Sequence, residues 1–208
     1  MEISSAPKKS VEDEYPLSTE ILRALEERGY INEGRAVYES KNTKKGDIVL
    51  YARQLLRKLA LYHCEHITDV SCLARSPLKS LDLSYCTGVT DVSALGKVKV
   101  LYLIECTGIA DVSSLGCGGV EELWLSRCTR VVDVSTLGVS TTLQKISLSG
   151  CTGIVDVSAL GKIKSLRHLY LNDCTGITNV SMLGAIHHLD LRGCVNIENY
   201  AFVPYSIK

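Results

Sequence analysis

Between Ser147 and Leu183 the chain reads SLSGCTGIVDVSALGKIKSLRHLYLNDCTGITNVSML, and within it LSGCTGIVDVSAL returns as LNDCTGITNVSML. A phrase repeated at this interval, with a cysteine at the same point each time, decides the architecture. Aligned on the phrase, the chain holds seven copies, starting at Leu59, Leu81, Leu101, Leu123, Ile146, Leu169 and Leu189. An apolar residue stands three positions before each start, from Leu56 and Leu78 to Ile186, and a leucine two positions after it, from Leu61 to Leu191. Cysteine follows three residues later, at Cys64, Cys86, Cys106, Cys128, Cys151, Cys174 and Cys194.

The unit reads L-x-x-L-x-L-x-x-C-x-x-(I/V)-x-(D/N)-V-S-x-L, degenerating after Cys194 into VNIENYAFVPYSIK, and is identified as a leucine-rich repeat by its period and its core spacing. L-x-L has period two, so one short strand per copy turns its leucines inward and its x residues outward. A single unit cannot bury its leucines alone. The copies therefore stack into a right-handed α/β solenoid, with a parallel sheet on the concave face and short helical turns or loops on the convex face. Gly88, Gly108, Gly153 and Gly176, in the Thr-Gly that follows the cysteine, are expected to bend the backbone at positive φ. Asp91, Asp111, Asp133 and Asp156 are expected to act as N-caps of the convex turns. The connection after the last leucine holds two residues after Leu95 and Leu183 and five after Leu137 and Leu160, so convex helices should be shortest where it is shortest.

The cysteines read as small buried side chains at the strand ends, with S–H groups donating weakly to a turn carbonyl. Seven in-register thiols make an odd set, and MEISSAPKKSVEDEY shows neither an apolar signal core nor the acid-poor character of a transit peptide. A reducing, cytoplasmic location is expected, with cytoskeletal, flagellar or nuclear sites as variants.

The phrases CTGITNVSML and LDLSYCTGVTDVSALG resemble the leucine-rich repeat proteins of kinetoplastid protists, some of them described as adenylate cyclase regulatory proteins. More loosely, they are similar to the cysteine-containing repeats of F-box-type adaptors. The resemblance covers about residues 56–203 and implies an interaction scaffold rather than an enzyme. Some such relatives carry a zinc-binding RING module before the repeats. This chain has no cysteine before Cys64, so ubiquitin-ligase chemistry does not carry over.

Four segments are expected: a polar tail over residues 1–15, disordered or ordered by a partner; an N-terminal helical cap over 16–55; the repeats over 56–203; and a tail over 204–208. In PLSTEILRALEERGY, Ser18 serves as N-cap, Leu17 and Leu22 as staple and Gly29 as stop. DIVLYARQLLRKL reads as a second helix capped by Asp47, or as a strand at its start. At the other end Tyr200, Phe202 and Val203 cover the last coil, or that coil makes an end-to-end contact with another protein.

Catalytic, cofactor and metal sites are expected to be absent. Glycine-rich phosphate loops, H-E-x-x-H and G-x-S-x-G do not occur. Asn179-Val180-Ser181 is formally a glycosylation sequon inside the turn ladder and reads as accidental. His168 and His188, with Asp190 nearby, read as exposed imidazoles on a polar strip rather than as a metal or pH site. A formal net charge of zero gives no global field for nucleic acid or lipid.

The informative surface is the concave face. Val100, Tyr102, Ile104, Glu122, Trp124 and Ser126 lie at its centre, and Lys145, His168, Tyr170, His188 and Asp190 extend it. Trp124, the only tryptophan, should stand exposed beside Tyr102. Such a cluster has the make-up of an interface hot spot. The functional expectation is a non-catalytic scaffold or adaptor in a larger assembly, binding protein through this face, with no small-molecule substrate and no membrane insertion. The rival is a ribosome- or RNA-associated subunit contacting RNA through Lys8, Lys9, Lys41, Lys44, Lys45, Arg53, Arg57 and Lys58, against which the ten acids of residues 1–57 match ten bases.

Overall fold

The computed structural model describes residues 19–27, 31–32, 35–36 and 57–198. Seven three-residue strands, β3 (Lys58–Ala60), β4 (Ser80–Asp82), β5 (Val100–Tyr102), β6 (Glu122–Trp124), β7 (Lys145–Ser147), β8 (His168–Tyr170) and β9 (His188–Asp190), form one parallel sheet in sequence order. The register follows the repeat: Leu59 pairs with Leu81, then Leu101, Leu123, Ile146, Leu169 and Leu189. Period two puts these side chains and the leucines two positions later into one continuous core, where most are fully buried. Each such burial contributes about 1.5–3 kcal/mol.

On the convex side the turns are mostly 3₁₀: Ser71–Leu73, Ser93–Leu95, Ser135–Val139, Ser158–Lys162 and Ser181–Leu183, with one α-helical turn, α2 (Ser113–Gly116). The five-residue connections carry five-residue turns and the two-residue connections carry three-residue turns, as their lengths demanded. A 3₁₀ turn advances about 2 Å per residue and so bridges the convex side with few residues.

Two local expectations are corrected. The left-handed residue is the one before the cysteine, not the glycine after it: His63, Tyr85, Glu105, Arg127, Gly150, Asp173 and Gly193 all have positive φ. This twist aims the backbone N–H at the neighbouring coil, as Tyr85 donating to the Ile104 carbonyl at 2.7 Å and Arg127 to Ser149 at 2.7 Å. Gly108, expected to be a bend, is instead a close approach. A Cβ there would lie 2.5 Å from the Val89 carbonyl oxygen and 2.6 Å from that of Thr87. Second, valine occupies the N-cap of each convex turn, and the aspartate stands one residue earlier. Its carboxylate still meets a free donor of the turn: Asp91, Asp111, Asp133 and Asp156 each accept from the serine N–H two residues on, at 2.8 Å. Asn179 does the same toward Ser181 at 2.9 Å, so the sequon asparagine is a turn residue.

The cysteine ladder is buried, and each thiol from Cys86 to Cys194 donates to the strand-end carbonyl of the preceding coil, as Cys106 to Leu83 and Cys128 to Leu103, both at 3.0 Å. Burial pushes the thiols up, Cys106 and Cys174 to about 12 and Cys151 to about 11.

At the N-terminal end, α1 (Thr19–Glu27) buries Ile21, Ala24 and Leu25 in the same core, the i, i+3, i+4 stripe of an amphipathic helix. Arg23 pairs with Glu27 at 2.8 Å on its outer side. The Glu20 carboxylate accepts from the Thr68 N–H at 2.8 Å and the Thr68 hydroxyl at 3.0 Å, tying α1 to the first coil. These bonds hold the Glu20 carboxyl below its usual range. β1 (Ile31–Asn32) and β2 (Arg35–Ala36) pair antiparallel. The expected tail over 1–15, the caps at Leu17, Ser18 and Asp47, most of 30–55 and the C-terminal cover at Tyr200, Phe202 and Val203 lie outside the described residues.

Candidate protein-binding face

Strand pairing sorts the candidate residues into rows across the sheet. The first strand positions place Val100 beside Glu122, then Lys145, His168 and His188. The third positions place Tyr102 beside Trp124, then Ser147, Tyr170 and Asp190. Ile104 and Ser126 follow their strands at the upper margin. All of these project from the side opposite the leucines, as period two requires.

In the third-position row the aromatics form a stacked ridge. Tyr102 and Trp124 have ring centroids 5.9 Å apart at 17°, and Trp124 and Tyr170 6.0 Å apart at 19°. Tyr170 and His188 meet in a T-shaped contact with ring centroids 5.3 Å apart. Trp124 and Tyr170 sit on strands separated by β7, and they meet because Ser147 between them is small. Ser147 is consequently buried although it faces the concave side. Trp124 was expected to be exposed; it is half-buried, clasped by a tyrosine on each side, with Lys145 Nζ 5.6 Å from its ring centre. Its indole N–H is buried and meets no acceptor among the described residues. A buried donor left unpaired costs about 1–3 kcal/mol, and phenylalanine would fill the stack without that cost. Folding stability therefore does not explain a tryptophan here.

Polar contacts hold the margins. Ser126 and Ser147 share a hydrogen bond of 2.8 Å, and the Ser149 hydroxyl donates to Asn172 Oδ1. Lys145 pairs with Glu122 at 3.4 Å. His168 and His188 lie 5.6 Å apart, and burial, then Lys145 and His188, push the His168 pKa down. Asp190 is buried and held by Arg192, with Nη2 to Oδ2 at 2.6 Å and Nε to Oδ1 at 3.0 Å. The Arg192 hydrogen bonds hold the Asp190 carboxyl below its ordinary value. Among the described residues no group of three or more histidine, cysteine or acidic side chains is placed to hold a metal, and no helix is long and apolar enough to cross a membrane.

Two features of this face escaped the sequence reading: the Trp124–Tyr170 contact and the Arg192 clamp on Asp190. The signal for the first was the serine between two large aromatics in one row. The second needed the left-handed turn at Gly193, which follows Arg192.

A leucine-rich repeat family model matches residues 76–95. No curated protein matches the chain significantly. Among solved structures the chain is similar to an internalin (inlF) from Listeria monocytogenes str. 4b F2365, with a TM-score of 0.58 and 19% identity over 84% of this chain and 56% of that one. It is also similar to internalin C2 (inlC2) of the same strain, with a TM-score of 0.50 and 21% identity over 68% of this chain and 64% of that one. The chain thus spans less than two thirds of either internalin. With seven strands in register and one repeat per coil, the fold is that of a leucine-rich repeat solenoid.

Proposed function

We propose that the chain is a non-catalytic protein-binding scaffold, an adaptor or subunit of a larger cytosolic assembly, that takes its partner on the concave face. The observation that carries this reading is the ridge Tyr102–Trp124–Tyr170. Its rings are fixed by mutual stacking before any partner arrives, so little side-chain entropy is lost on binding. Leucine-rich repeat folds serve generally as interaction scaffolds, and on this one the concave positions differ from coil to coil while the interior repeats. The RNA reading draws little from the ridge, because the tryptophan at its centre is flanked by a stacked tyrosine on each side and is not an open platform for a base. The buried thiols favour a reducing compartment.

The test is a single substitution at the centre of the ridge. Trp124→Ala should leave the circular dichroism spectrum unchanged and weaken partner binding by roughly 2–4 kcal/mol. A Trp124→Ala protein that folds and captures the parent's partners with unchanged affinity would sink the concave reading.

A further inference from the structure

The net charge of zero conceals a separation. The ascending flank of the coils runs from the last leucine of each phrase into the first strand residue. There, over residues 57–188, it carries ten lysines and arginines against only Glu121 and Glu122. The descending flank, from the second strand residue back to that leucine and on to Glu198, carries eleven acids against Arg127, Arg130 and Arg192. The net charge of the described coils is thus divided between the two stretches of each coil, about +8 on the ascending and about −8 on the descending one.

The fold accounts for one face and not the other. On the descending flank Asp69, Asp91, Asp111, Asp133 and Asp156 each accept a turn N–H, Glu105 pairs with Arg127, and Asp190 pairs with Arg192. These acids have structural work. On the ascending flank Lys58, Lys79, Lys97, Lys164 and Arg167 are exposed and make no ion pair among the described residues. Among the described residues Lys99 pairs with Glu121 and Lys145 with Glu122. A line of uncompensated cations beside a binding face repels itself, and an anionic partner removes that repulsion.

We propose that this ascending rim docks an acidic segment of a partner protein, laid across the coils alongside the aromatic ridge. The inference rests on the concave reading for the partner being a protein and adds the partner's charge and orientation. Seven strands at about 4.8 Å make a rim roughly 29 Å long, the span of about nine extended residues. Glu121 and Glu122 interrupt the cations at its middle. With both glutamates paired to lysines the middle carries no net charge, so a phosphate backbone, charged at every step, gains no attraction there, whereas a polypeptide can place a neutral residue at that point. Any polyanion wider than the rim would also overlap the acidic flank.

The experiment titrates the full chain with a fluorescein-labelled oligoglutamate of about twelve residues, long enough to span the rim. Oligoglutamate has no aromatic side chain for the ridge, so its failure to bind is separable from a failure of the Trp124 test. Binding is expected at low ionic strength, should weaken steeply with salt, and should fall at least tenfold in Lys79→Glu/Lys164→Glu/Arg167→Glu. These residues are exposed, and Lys58→Glu/Lys97→Glu provides a second set should the first not fold. Absence of binding to the parent, or equal binding to a folded rim variant, overturns the proposal. So does an oligouridylate of equal charge binding as tightly as oligoglutamate or more tightly, which would make nucleic acid the occupant.

Discussion

The turn that closes each strand and the strand's own outward positions sit within a few residues of each other, yet they follow opposite rules. In the turn the same events recur in coil after coil: a left-handed residue, a buried cysteine, a thiol donating to the preceding coil's carbonyl at 2.9–3.1 Å. On the concave face the third strand position is alanine, aspartate, tyrosine, tryptophan, serine, tyrosine and aspartate in succession. The turn must repeat because each coil is the packing surface of the next, and a change in one is felt by two. The concave positions meet only side chains of their own face rather than the packing between coils, so they are freer to differ. Stability resides in what is constant and recognition in what varies.

The strongest way to break this comparison is to alter the constant part. Gly108→Val should abolish folding, since its Cβ would press to 2.5 Å of the Val89 carbonyl, which belongs to backbone and cannot yield. Cys128→Arg should be comparably severe, because it buries a charge between coils. Loss of the native circular dichroism spectrum checks both, and a folded Gly108→Val protein would show that the coils are not packed as closely as described. Leu125→Ala should be milder, destabilising by about 2–5 kcal/mol through a core cavity, with little change on the concave surface. Denaturant unfolding measures it.

The thiols sharpen the comparison through pH. A thiol whose pKa is raised on folding stays protonated in the native state after the unfolded chain has begun to ionise. Its stabilisation is complete below the unfolded value near 9 and declines as pH rises toward the folded value of about 11 to 12. Each such thiol adds a slope of about 1.4 kcal/mol per pH unit, so stability should drop sharply between pH 9 and 11. Cys151→Ala should remove one proton's worth of that slope. An unchanged slope would mean that the ladder thiols ionise as readily folded as unfolded. In native buffer at neutral pH a thiol reagent should find exposed Cys117 first, while the seven ladder cysteines react only on unfolding.

How far the sequence disclosed these two regions follows from the same contrast. Leucine, cysteine and glycine recur at fixed spacing, so the strands, the sheet order, the core and the buried thiols could all be read from the period. The left-handed position could not, because its occupants are histidine, tyrosine, glutamate, arginine, glycine, aspartate and glycine, and no composition marks it. The Thr-Gly glycines looked like the bend because glycine serves both positive φ and close approach, and only the neighbouring coil distinguishes the two. On the concave face the rows were legible from strand register. The half-burial of Trp124 was not, since it depends on a tyrosine two strands away reaching over Ser147. The flank charges were visible residue by residue, but separated into two faces only once the coil assigned each residue a side.

The smallest effect tests whether the turn aspartates belong with the constant part. Asp111, Asp133 and Asp156 are exposed, and their hydrogen bonds to the serine N–H and hydroxyl hold their carboxyls below the ordinary value of 3.8. A depressed carboxyl contributes stability that is present above the unfolded pKa and is lost as pH falls through the folded one. The melting temperature should accordingly be flat from pH 7 to about 5 and decline below about 4. Asparagine keeps the acceptor oxygen and discards the titration, and Asn179 already occupies this position in its own coil, bonded to Ser181 at 2.9 Å. Asp133→Asn should therefore leave the neutral melting temperature close to the parent's and make the acid decline shallower. Asp133→Ala should lower the melting temperature at both pH values, because the Ser135 N–H loses its partner. If alanine and asparagine prove indistinguishable at pH 7, the carboxylate bond contributes nothing to the turn, and the acids of the descending flank would need an explanation outside the fold, as the cations opposite already do.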